Sequence, residues 1–377
     1  MLVFSLLVFY AVLFESYPWR ELAALDMPGW VIRYAASVSE YVLGSGRAPI
    51  VILGSSLILA PSQRLGDIYE FASELDGQRE TIVKSTHYER ELKMLTGLNL
   101  SIKNLAIHGA MLTDQELITK ELIAHGNAPK LLILTLAPRD FIDNILGRDL
   151  DNTPIKRVFS FMARRKCLLP KELSLEAVGD WLDLHQKFTN LVRRKLGRAL
   201  VESTCRITGR QENLWLAANQ GTSQRVNTLI AAPAGSPGAR PEKNELLAED
   251  ISHYRRRYLP PDEKRFTEQE LALKALLTRA TEAGIKVIIV EMPLTKENIS
   301  ILLPHQYRCF KESIQHLASL HSVSLVDFGD VKPTFDAADF IDSVHLSKRG
   351  AERFIPLFCK KVVGSQAFRA AFSESTR

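Results

Sequence analysis

Five short apolar runs punctuate the chain: Ile50–Leu53 (IVIL), Ile102–Ile107 (IKNLAI), Leu131–Leu136 (LLILTL), Ile285–Val290 (IKVIIV) and Val323–Val326 (VSLV). Runs of this length, bounded by turn formers, predict buried strands. Between them lie stretches with apolar residues at helical spacing: Asp114–His125, Phe266–Ala283 and His305–Leu320. Gly284 reads as the C-terminal glycine of the second. Ser347 reads as the N-cap of a last helix running through Phe354 and Leu357. Strand alternating with helix predicts an α/β fold, three-layer α/β/α with a central parallel sheet. The alternation breaks over residues 150–262, read as an insertion into a domain spanning 45–377. This insertion starts helical and then loosens into a flexible linker at 231–241, AAPAGSPGARP, which has no apolar period.

Composition adds little to that pattern and removes several function classes. With 377 residues and 46% hydrophobic content, the chain is able to bury a full core without a metal or disulfide to staple it. The net charge of +5 is modest but unevenly placed. From Asp151 to Arg210 there are 13 Lys/Arg against six Asp/Glu, so the rest of the chain is slightly acidic. Such a segment suits either a solvated helical face or an anionic surface. No helix-turn-helix, zinc-finger or aromatic-plus-Arg strand pattern accompanies it, so nucleic acid is not an expected partner. Cys167, Cys205, Cys309 and Cys359 show no CxxC spacing, which argues against zinc, iron–sulfur or thioredoxin-like chemistry and leaves disulfides open. The histidines show no HxxxH or HExxH spacing, and no metal or other cofactor is expected.

The first 20 residues require a separate reading. Leu2–Phe14 (LVFSLLVFYAVLF) carries no charge and is followed by Tyr17 and Trp19. It is short for a spanning helix and lacks the basic start and small-residue cleavage site of a signal peptide. Two readings fit: a membrane anchor with an aromatic interface, or a helix buried in a soluble protein.

The candidate chemistry sits at strand ends. The first strand runs into Gly54-Ser55-Ser56-Leu57, where a parallel sheet places its ligands. Ile58 stands where a GxSxG elbow requires glycine, which disfavours the ordinary α/β-hydrolase turn. Asp342-Ser343-Val344-His345 follows the last strand, and Asp and His three apart are able to face one serine. Gly109, after the second strand, is able to offer an unobstructed N–H to an oxyanion. Arg139 and Asp140 follow the third strand, with Phe141, Asp143 and Asn144 beyond. Each has a plain structural alternative: Ser56 and Gly109 as turn residues, and Asp342 with His345 as a surface pair. Arg139 either stabilises negative charge at the site or forms a structural salt bridge. His108 reads as a structural histidine, and Glu291 as a strand end that shapes the pocket or simply stops at Pro293.

In this order and strand context the blocks resemble the SGNH (GDSL) hydrolase superfamily. Gly54-Ser55-Ser56-Leu57 is similar to its GDSL block, Gly109 to its glycine block, and Asp342 to His345 to its terminal DxxH block. The likeness spans residues 50–145 and 265–360, roughly half the chain. It departs at the GxND block, where Arg139 stands at the asparagine position and Asp140 keeps the aspartate. That departure, with the Arg-Asp-Phe run and Asp143-Asn144, resembles a divergent extracytoplasmic branch linked to polysaccharide O-acetylation. The resemblance implies a flavodoxin-like sheet topology and a Ser56–His345–Asp342 triad with Gly109, Arg139 and Asp140 in the oxyanion or substrate site. It also implies a serine esterase or acyltransferase acting on an envelope carbohydrate, membrane-anchored outside the cytoplasm. The alternatives are a hydrolase of lipid or other esters, a catalytically silent glycan-binding or assembly factor, and a soluble cytoplasmic location.

Overall fold

Leu131–Leu136 is buried along its whole length, and so is Ile50–Leu53, because both strands lie inside the sheet with helices on either face. The structure, a computed structural model, describes residues 29–44, 47–66, 85–144, 150, 153–168, 243–329 and 335–373. The anchor reading at 2–14, most of the insertion with its linker at 231–241, Cys205 and the Cys167 side chain lie outside the described residues.

The described elements follow in order as α1 (Gly29–Leu43), β1 (Ile50–Leu53), α2 (Ser56–Arg64), α3 (Thr86–Thr96), β2 (Ile102–Asn104) and α4 (Leu112–Ala124). They continue with β3 (Leu131–Leu136), α5 (Arg139–Ile142), α6 (Pro154–Leu168), α7 (Lys243–Tyr258), α8 (Glu263–Glu282) and β4 (Lys286–Glu291). The chain then forms α9 (Lys296–Ile299), α10 (Pro304–Leu320), β5 (Ser324–Asp327), α11 (Lys348–Gly364) and α12 (Gln366–Phe372).

All four strand pairings are parallel, in the order β2-β1-β3-β4-β5, which is the flavodoxin-like arrangement. Helices α1, α4, α6 and α8 pack together as one layer, and α2, α3, α11 and α12 as the other. The fold is three-layer α/β/α. In this strand order the chain leaves β1 for one edge and then returns to β3 beside it. The carboxyl end of β1 is therefore a switch point, where the loops diverge and a crevice forms.

The sequence boundaries need small corrections. The second run forms a strand only over Ile102–Asn104, although Leu105 and Ile107 still donate N–H bonds to Ile52 and Gly54 carbonyls. The fourth and fifth strands each begin and end one residue later than their apolar runs, so Glu291 and Asp327 belong to them. Gly284 does take a left-handed conformation (φ +73°) after α8, and the Ser347 hydroxyl accepts Gly350 N–H to cap α11. That helix is not the last: α12 follows, capped by the Ser365 hydroxyl. Cys309 and Cys359 are free thiols, Cys309 exposed and Cys359 buried.

One aromatic cluster matters for the site. Phe141 on α5 meets Phe266 of α8 at 5.1 Å and Phe310 of α10 at 5.3 Å between ring centroids. Burying such a ring is worth about 1.5–3 kcal/mol. It fixes the short helix whose first residue is Arg139.

Candidate active site

Gly54 makes the turn after β1 physically attainable. Any Cβ there would collide with the Thr135 hydroxyl of β3, which donates to Leu53 O at 2.9 Å. The close approach of β3 thus excludes a side chain and turns the chain directly into α2. Ser56 is the first residue of α2 and is buried. Ser55 precedes it in an extended conformation, and its hydroxyl does not cap the helix. Among the described residues no side chain claims the N–H groups of the first turn, which stand beside the Ser56 hydroxyl at the positive end of the helix.

Across the crevice, residues 342–345 form a turn closed by its own aspartate. Asp342 Oδ1 accepts Val344 N–H at 2.9 Å and His345 N–H at 2.6 Å. This Asx turn leaves Asp342 Oδ2 to bond His345 Nδ1 at 2.7 Å, while His345 Nε2 lies 2.9 Å from Ser56 Oγ. With Nδ1–H donated to Asp342, Nε2 holds the lone pair that accepts the serine proton. Burial works against the Asp342 carboxylate. The charge of His345 and the hydrogen bonds from His345 and Val344 outweigh it and hold Asp342 below the usual carboxylate range.

Residues 105–109 run alongside the Gly54–Ser56 turn through the Ile107 N–H to Gly54 O bond of 3.1 Å. Gly109 has φ +77° and open space where a Cβ would stand. Its N–H makes no hydrogen bond among the described residues. His108 beside it lies 3.4 Å from Gln63 Nε2. Burial, helped by the charges of His345 and Arg139, pushes this imidazole down to about 3, so it is neutral at ordinary pH.

Arg139 is buried between the serine and two carboxylates. Its Nη1 lies 3.5 Å from Ser56 Oγ, while Nε faces Asp140 at 3.7 Å and Nη2 faces Asp143 at 3.8 Å. Asp140 lies against the Arg139 guanidinium. Fully buried, its carboxylate accepts Ala137 N–H at 2.8 Å and so closes the turn that starts α5. Burial pushes Asp140 up to about 6, against the pull of Arg139 and the Ala137 N–H.

The sequence pattern did not single out α7 as part of the site. Arg257 pairs with Asp143 through both Nε, at 3.0 Å, and Nη2, and it stacks over Tyr254 at 4.9 Å. Asp250 accepts Ser343 N–H at 2.8 Å, in the middle of the Asp342–His345 turn. Asp250, Tyr254, Arg257 and Tyr258 stand at i, i+4, i+7 and i+8, one face of the helix. That spacing was the available signal.

Glu291 ends β4 at the same sheet edge, in a separate group. It bonds Lys311 Nζ at 2.6 Å and Tyr307 hydroxyl at 3.0 Å, and Lys311 also reaches Asp327 at 2.5 Å. Among the described residues, no group of three or more His, Cys, Asp and Glu side chains is able to hold a metal ion, and no helix is long and apolar enough to cross a membrane. No family model matches the chain, and no curated protein matches it either.

Proposed function

We propose that this chain is a serine esterase or O-acyltransferase acting on an acylated carbohydrate. The observation that carries the proposal is the continuous bonding of Asp342 Oδ2, His345 and Ser56 Oγ, at 2.7 and 2.9 Å. A serine becomes a nucleophile when an imidazole takes its proton and a carboxylate holds that imidazole in the right tautomer. In this reading Ser56 Oγ attacks the ester carbonyl as its proton passes to His345 Nε2. The oxyanion meets the N–H groups of Ser56 and Gly109 and the Arg139 guanidinium, which takes the place of an asparagine amide. Collapse expels the alcohol, which leaves with the proton from His345. Water or a sugar hydroxyl then attacks the acyl-serine, giving its proton to His345 and restoring Ser56.

The carbohydrate assignment rests on the resemblance to the divergent polysaccharide-modifying branch. The apolar segment 2–14 supports an extracytoplasmic, membrane-associated setting. The test is acetate release from O-acetylated oligosaccharides, run beside long-chain acyl esters. Wild type releases acetate, and Ser56→Ala lowers the rate by about 10⁴-fold or more. Cleavage confined to the long-chain esters would move the substrate class to lipid, and cleavage of no ester would overturn the proposal.

A further inference from the structure

The turn that carries Asp342 and His345 is pinned at its central residue. Ser343 is fully buried. Its carbonyl accepts the Thr295 hydroxyl at 2.9 Å and the Thr295 N–H at 3.2 Å, and its hydroxyl accepts Asn298 Nδ2 at 3.0 Å. Its N–H donates to Asp250 Oδ2 at 2.8 Å, on the other side of the turn. Tyr258, two turns further along α7, donates to Asn298 Oδ1 at 3.2 Å, so α7 reaches Ser343 once directly and once through Asn298. Farther still around that face, Arg257 holds Asp143, and its backbone carbonyl accepts Asn144 N–H at 3.0 Å. One helix, lying between β3 and β4 in the chain, therefore braces the acid–base turn and the segment that carries Arg139.

From this placement we propose that Asp250 is a positioning residue for His345. It fixes the Asp342–His345 turn through Ser343 and adds a second carboxylate within electrostatic reach of the imidazole. The inference rests on the Ser56–His345–Asp342 reading and extends it to a helix outside the family-like blocks. The charged and titratable groups around the pair are Asp342 on the turn itself, His108 after β2, Arg139 on α5, and Asp250 with Tyr254 on α7. Burial raises the Asp250 carboxyl, bonding to Ser343 lowers it, and the neighbouring Asp342 charge raises it again. Once ionised, it favours a protonated imidazole, because opposite charges at this range attract.

The test separates geometry from charge. Asparagine at 250 keeps an oxygen to accept Ser343 N–H but removes the charge, whereas alanine removes both. In Asp250→Asn the acid limb of fluorophosphonate labelling, followed against pH, moves to lower pH by about half a unit, about a threefold change in the proton-binding constant. A residue with only a structural role would leave that limb in place. In Asp250→Ala the Ser343 amide exchanges with solvent at least tenfold faster than in wild type, whereas in Asp250→Asn it stays protected. An unmoved acid limb in a labelled Asp250→Asn protein, or unchanged Ser343 exchange in Asp250→Ala, overturns the inference. Wild type that is not labelled at any pH defeats the serine-nucleophile reading itself, and the positioning role falls with it.

Discussion

Two groups of ionisable side chains stand at the carboxyl edge of the same sheet, and they are built differently. At the end of β1, Ser56, His345 and Asp342 form a chain with His345 in the middle, bonded to Asp342 on one side and to Ser56 on the other. At the ends of β4 and β5, Lys311 lies between Glu291 and Asp327 and bonds both, with the Tyr307 hydroxyl closing Glu291 from another side. The first ends on a hydroxyl beside helix N–H groups and a Gly109 N–H that have no partner among the described residues. In the second, each charged group already has a partner within the cluster. A site needs a group whose best partner is not yet in place, and a structural ion cluster needs the reverse.

The difference is sharpest when one substitution is made in both places. Asp342→Asn removes the charge that favours imidazolium and loses control of the His345 tautomer, and ester turnover is expected to fall by about 10⁴-fold. Asp327→Asn is expected to leave turnover within about twofold, by the same assay, because a half-buried carboxylate that binds a lysine and the Gly329 N–H adds little to a distant reaction. A large loss with Asp327→Asn would break the division into two groups.

A smaller effect lies in stability rather than rate. Burial pushes Glu291 up to about 7 from its ordinary 4.5, more than the bonds from Lys311 pull it down. Between those two pH values the folded chain holds a proton that the unfolded chain releases. Stability is therefore highest below pH 4.5 as far as this group is concerned, and it falls as pH rises towards 7, by about 2 kcal/mol. Glu291→Gln removes that decline, read as urea unfolding at pH 5 and pH 7, and leaves a smaller slope at lower pH from Asp140, which is also raised. An unchanged decline in the variant would show that Glu291 is not the group responsible.

Much of this architecture is legible in the chain, for reasons tied to particular residues. IVIL and LLILTL are apolar at every position because helices cover both faces of β1 and β3, so no alternation is needed to recognise them. Gly54, Ser56, Gly109, Asp342 and His345 lie at strand ends, where order along the chain maps onto one edge of a parallel sheet. Arg139 was legible as a departure but not as a choice between roles, because its two carboxylates and its serine come together only through the packing of Phe141. Asp140 also closes the turn that starts α5, a local hydrogen bond that spacing does not encode. The contribution of α7 was hidden for a different reason. The face it turns to the site is polar and aromatic, with Asp250, Tyr254 and Arg257 in one row, and it resembles any solvated helix until its partners at 143 and 343 are known.

The most direct measurement is the intact mass of the folded protein after reaction with a fluorophosphonate, made on wild type, Ser56→Ala and His345→Ala. The account predicts one adduct in wild type, located on Ser56 by peptide mapping, and none in either variant. No adduct on folded wild type, or one that persists in Ser56→Ala, would contradict it.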